Sequence, residues 1–204
     1  YVNGKKVGNW PYGYNSFYFD ITKQLIPGKK NTLAVRLENL PESSRWYPGA
    51  GLYRNVHVVT TEKIHVPVWG TQITTPYVKD EYASVCLRTT ILNAEKTELT
   101  VVTDIIDADG QVVSTKTNKG VINHGQPFTQ NFIVERPKLW SPETPVLYKA
   151  VSKIYSGDTL LDTYSTRFGI RTIEYIADKG FYLNGKRRKF QGVCNHHDLG
   201  PLGA

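Results

Sequence analysis

The chain has 204 residues, 40% of them hydrophobic and spread in short bursts, with 25 Lys and Arg against 18 Asp and Glu for a formal charge of +7. That suffices for the core of one large or two small domains and argues against wholesale disorder. No apolar run approaches the length of a membrane span, which argues against a membrane partner.

The text begins Tyr1-Val2-Asn3 and holds no methionine, so an internal piece of a longer protein is expected, and a missing leader says nothing about such a protein. In the first 62 residues, YVNGKKVG reads as a hairpin turned at Asn3-Gly4. NWPYGYNSF around Trp10 reads as a loop. Strands are predicted over 17–22, over 31–39, where Leu33, Val35 and Leu37 make one apolar face, and over 54–64. Between the last two, SSRWYPGAGLYR is aromatic and glycine-rich, a structured loop. Such a set amounts to half of a β-sandwich.

From residue 83 on, short alternating runs repeat. Over 83–93, Val85, Leu87, Thr89 and Ile91 alternate with Cys86, Arg88 and Thr90. Over 98–106, Leu99, Val101, Thr103 and Ile105 share one face, and DADG at 107–110 is a strong turn. Further strands are predicted over 111–117, 128–135, 146–155 and 160–170. No long run has a helical apolar period. Short strands at this spacing predict a two-sheet sandwich of roughly 100 residues. Trp140 and Tyr148 read as core or turn-packing residues. The two cysteines, Cys86 and Cys194, form no CxxC and read as free, largely buried thiols.

After 171 the pattern changes to a strand at TIEYI, a turn at ADKG and a hairpin around Asn184-Gly185, then one more strand. Some thirty residues cannot bury a core of their own. Lys186, Arg187, Arg188 and Lys189 form a basic run beside that turn. It reads as a solvated turn, and no nucleic-acid-binding motif accompanies it. The segment ends on FQGVCNHHDLGPLGA. Adjacent His196 and His197 on a strand point to opposite faces, a poor arrangement for one metal ion. Cys194 and His196 share a face but lack an orienting partner for a thiol nucleophile.

Three stretches carry a resemblance. SSRWYPGAGLYRNVHV, LWSPETPVLY followed by FGIRTIE, and FYLNGKRRKFQGVCNHHDLGPLG resemble, in order and spacing, segments of the β-galactosidases and β-glucuronidases of glycoside hydrolase family 2. The resemblance implies an all-β chain. Residues 1–63 would be the C-terminal part of a sugar-binding jelly-roll (galactose-binding-like) β-sandwich. Residues 64–171 would be an immunoglobulin-like β-sandwich, and 172–204 the first strands leading into a (β/α)8 catalytic barrel.

The activity implied is that of a retaining exo-β-glycosidase of β-galactosidase type, with β-glucuronides, β-mannosides or a non-catalytic carbohydrate-binding module as alternatives. Its two glutamates would lie on later barrel strands, leaving this piece inactive. His197 matches a family histidine that lines the sugar pocket; its other reading is a structural histidine at a strand end. Asn195 and Asp198 accompany it as substrate contacts. His196 stands where the family has arginine, which trades a fixed fork-shaped cation for a group neutral near pH 7. Arg45, Trp46 and Tyr47 form a sugar-contact loop or, alternatively, anchor that loop in its own sheet. No cofactor is implied for the piece, and Mg or Na is left open for the parent. The partners implied are a β-galactoside and the remaining domains, with no nucleic acid; a homo-oligomer is compatible, and the compartment is open.

Overall fold

The structure, a computed structural model, describes residues 1–38, 40–41, 51–52, 54–92, 96–122 and 125–193. They fall into two units, one of Tyr1–Val58 with the described residues from Gly192 on, the other Val59–Gln191.

The larger unit holds ten strands: β1 Thr71–Val78, β2 Tyr82–Thr90, β3 Thr97–Ile106, β4 Val112–Ile122, β5 Pro127–Glu135, β6 Tyr148–Ser156, β7 Thr159–Phe168, β8 Ile173–Ile176, β9 Gly180–Leu183 and β10 Lys186–Arg187. Two antiparallel sheets, ordered β1-β2-β5 and β4-β3-β6-β7, make the sandwich, and β10-β9-β8 form a third small sheet. The alternation seen in the sequence is what builds it. Val85, Leu87 and Thr89 of β2 and Leu99, Val101, Thr103 and Ile105 of β3 are all buried, meeting Phe132 and Val134 of β5 and Tyr148, Ala150 and Ile154 of β6. Cys86, on the other face of β2, is a half-buried free thiol rather than a largely buried one; Cys194 lies outside the described residues.

The core is not uniformly apolar. One cluster surrounds Leu87, Ile105 and Phe132, a second Ile91, Leu99 and Ile154. Between the sheets, the Thr103 hydroxyl donates to Gln130 Oε1 (2.7 Å) and therefore accepts from the Ser152 hydroxyl (2.8 Å). Gln130 Nε2 lies 3.2 Å from Asn118 Oδ1 and 3.3 Å from the Val101 carbonyl. Burial of these groups is tolerable because each finds a partner.

Strand β1 was not anticipated from the sequence. It sits at a sheet edge, and its register with β2 slips between Thr74 and Tyr77, around Pro76. Proline cannot donate to a ladder and is confined to such edges and bulges, so its presence masked the strand. The turn at 107–110 forms as expected, with Asp107 Oδ1 accepting from the Asp109 and Gln111 amides, both at 2.9 Å.

In the smaller unit the hairpin at Asn3-Gly4 forms, with Val2 bridging Lys5 and Leu33. The predicted strands over 17–22 and 54–64 and most of 31–39 do not. Residues 22–24 make a short 3-10 turn instead, its Thr22 amide held by Asp20 Oδ1 (2.8 Å). Asn31 side-chain bonds fix the loop before it, accepting from Asn3 Nδ2 (2.7 Å) and the Ile26 amide (2.8 Å). Leu33, Val35 and Leu37 are exposed. The alternating face exists, but among the described residues its pairing is limited to Tyr1–Asn3 against Thr32–Ala34, and beyond Ala34 no ladder continues along it.

Candidate functional site

Asn195, His197 and Asp198, with His196, lie outside the described residues, as do Arg45, Trp46 and Tyr47. What the structure describes is the chain that leads to the first group and how it is held.

That chain leaves the Asn184-Gly185 turn, where φ values of 50° and 72° suit the short polar side chain of Asn and the bare backbone of Gly. Asn184 also works as a latch. Its Oδ1 accepts from the Thr172 amide (3.0 Å), its amide donates to the Thr172 carbonyl (3.1 Å), and its Nδ2 donates to the Trp140 carbonyl (3.0 Å). The Trp140 corner is itself fixed. The Trp140 amide donates to the Ile170 carbonyl (2.8 Å), the Arg171 guanidinium stacks 5.0 Å from the indole centroid, and Gly169 leaves room that a Cβ would lose, 2.8 Å from Trp140 Cβ.

Beyond the turn, Arg188 grips Glu143 with both guanidinium ends, at 2.5 and 2.9 Å. That pairing is the first cause holding the Glu143 carboxyl below its ordinary range. Phe190 then packs on Phe181, ring centroids 4.6 Å apart. The basic run is thus divided: Lys186, Arg187 and Lys189 are exposed, while Arg188 is half-buried and committed. The turn loop 141–144 and the hairpin are thus joined through Arg188.

Elsewhere, among the described residues, no group of three or more His, Cys, Asp or Glu is placed to hold a metal ion. A shallow groove of about 410 Å3 is lined by Thr60, Glu62, Leu161 and Asp162. Its Asp162 is structural, accepting from the Val66 and Thr163 amides, each at 2.8 Å. Tyr77 and Tyr82 stack on the surface at 5.2 Å, and the Lys79 hydrogen bond lowers the Tyr77 phenol from its usual value.

A third surface feature was missed from the sequence. The Gly70 amide donates to the Pro67 carbonyl (2.8 Å), closing a four-residue turn with Trp69 third, at φ 59°. That slot normally belongs to Gly or Asn. The signal was present as proline and glycine flanking the tryptophan in VPVWG, but no element was assigned there.

The family model described as "Glycosyl hydrolases family 2" matches residues 64–171. The β-galactosidase BoGH2A of Bacteroides ovatus is 44% identical over all of this chain and 25% of its own length. A putative β-glucuronidase of Formosa agariphila is 40% identical over all of this chain and 19% of its own. Among solved structures, a family 2 member from Bacteroides cellulosilyticus superposes on the whole chain with a TM-score of 0.87 at 34% identity, over 28% of its length. A Bacteroides uniformis β-glucuronidase does so at 0.80 and 32%, over 26%. The chain thus spans about a fifth to a quarter of the length of these two relatives.

Proposed function

The chain belongs to glycosyl hydrolases family 2, and from that premise we propose that it is the scaffold portion of a retaining exo-β-glycosidase that removes terminal non-reducing β-D-galactosyl residues. The supporting observation is its 44% identity, without uncovered residues, to a protein named β-galactosidase. Retaining hydrolysis uses two carboxyl groups about 5–5.5 Å apart, one nucleophile and one acid/base. In this reading both stand on a barrel that follows residue 204, and the chain alone turns nothing over.

His197, with Asn195 and Asp198, contacts sugar hydroxyls in the longer protein, and Arg45, Trp46 and Tyr47 reach the rim of that pocket. Bonds to those hydroxyls gain strength as the ring takes on oxocarbenium character. The carboxylate chemistry requires no cofactor; a supporting role for Mg or Na is decided by assaying the longer protein before and after chelation. Its partners are the glycoside and the adjoining domains.

The 40% identical relative named a putative β-glucuronidase favours one other glycone. Assaying the longer protein on 4-nitrophenyl β-galactoside and β-glucuronide decides between them. On the preferred substrate, His197→Ala should lower kcat/KM at least about tenfold, the worth of one pocket hydrogen bond. Unchanged kcat/KM returns His197 to a structural role, and faster glucuronide turnover replaces the galactoside reading.

A further inference from the structure

A tryptophan at positive φ is costly, and this one is also displayed. Bulky side chains in the left-handed region are strained and persist only where the surroundings over-determine them. Here both sheets do so. The Trp69 amide donates to the Tyr164 hydroxyl of β7 (3.1 Å), and the Gly70 carbonyl accepts from the Thr90 amide at the end of β2 (2.7 Å). Gly70 is needed for the tight return, since a Cβ there would meet Pro67 at 2.7 Å. The outcome is a tryptophan 59% exposed, on backbone that is pinned on either side.

Next to it is a depression of about 170 Å3, walled by Trp69 and Pro127 and completed by Gln72, Arg88 and Thr90. Drug-sized sites run to about 300–1,000 Å3, so this one has room for a single ring. Gln72 and Arg88 stand directly opposite each other across the β1–β2 ladder, both exposed. Among the described residues no acid lines the depression and Arg88 makes no ion pair. An aromatic face for the C–H side of a pyranose, an amide for its hydroxyls and a planar fork for an oxyanion are therefore gathered on one rigid surface.

We propose that Trp69, Gln72 and Arg88 form a sugar-binding site on the sandwich for a residue bearing a carboxylate or sulfate. Trp69 supplies the platform, Arg88 the preference for an anionic sugar, and Gln72 a hydroxyl contact. The site is independent of the glycosidase reading, because binding is measured without turnover.

The test is calorimetric titration of the 204-residue chain with three tetrasaccharides: an oligoglucuronate, a sulfated galactan and a neutral galactan. The first two should bind at millimolar concentration, and the stronger of them identifies the anion. Trp69→Gly, which the turn accommodates, should weaken binding at least about tenfold. Arg88→Gln should bring the anionic sugars down to the neutral level, with Arg88→Lys intermediate and Trp10→Ala unaltered. Thermal melts confirm that each variant is folded. No binding by any tetrasaccharide, neutral binding equal to anionic, or affinity unchanged in Trp69→Gly overturns the proposal. So does a Trp69 shielded from acrylamide quenching in the longer protein, which would assign the patch to an adjoining domain.

Discussion

Val85, Leu87 and Ile91 in one unit and Leu33, Val35 and Leu37 in the other are the same kind of pattern. Each set alternates with smaller or polar residues at the period of a strand. The first set is fully buried and the second about half exposed. β2 lies between β1 and β5 and faces β3 and β6 across the core, so its apolar face is covered. Beyond Ala34 the same face has no ladder beside it among the described residues. Alternation records which residues would face a core; it does not supply the core.

That contrast can be broken most directly by truncation. Leu87→Ala should cost about 2–5 kcal/mol in urea denaturation, as expected for a packed site that cannot collapse. Leu33→Ala should cost less than about 1 kcal/mol. Equal costs would mean that the first unit has a core of its own. Thr103→Val sharpens the account of the second unit. It strands Gln130 Oε1 and the Ser152 hydroxyl, so a loss of about 1–3 kcal/mol is expected in the same measurement. No loss would show that the polar groups between the sheets contribute nothing.

The sequence disclosed the faces of β2 and β3 residue by residue, because there periodicity and burial coincide. It disclosed the Asn184-Gly185 and Asp107–Gly110 turns through local chemistry. It did not disclose β1, since Pro76 disguises an edge strand, nor the polar contacts in the core, since Thr103, Gln130 and Ser152 meet only once the sheets are stacked. The Arg188–Glu143 grip joins residues 45 apart and has no local signature. For the proposed sugar contacts, the sequence supplied Asn195, His197 and Asp198, all outside the described residues. It passed over Trp69 and Arg88, which lie within them.

Two smaller effects refine the same comparison. Trp69→Gly removes the left-handed penalty from a turn of the second unit and should raise its stability by about 1 kcal/mol, read from the urea midpoint. A destabilised variant would mean that the indole is bonded more firmly than its exposure suggests. Glu143→Gln should lower the melting temperature slightly at neutral pH and leave it unchanged in strong acid. Glu143 titrates below its ordinary value because Arg188 holds the carboxylate. The contribution is therefore complete above the unfolded carboxylate range, near about 4.3, and is lost as pH falls through the lower folded value. A difference that persists in strong acid would assign the effect to packing.

Under the proposed function, the catalytic carboxylates of the family 2 glycosidase stand outside these 204 residues. Turnover of 4-nitrophenyl β-galactoside, measured side by side for the 204-residue chain and for the longer protein containing it, tests that claim directly. The account predicts hydrolysis by the longer protein and none by the chain; stoichiometric turnover by the purified chain would contradict it.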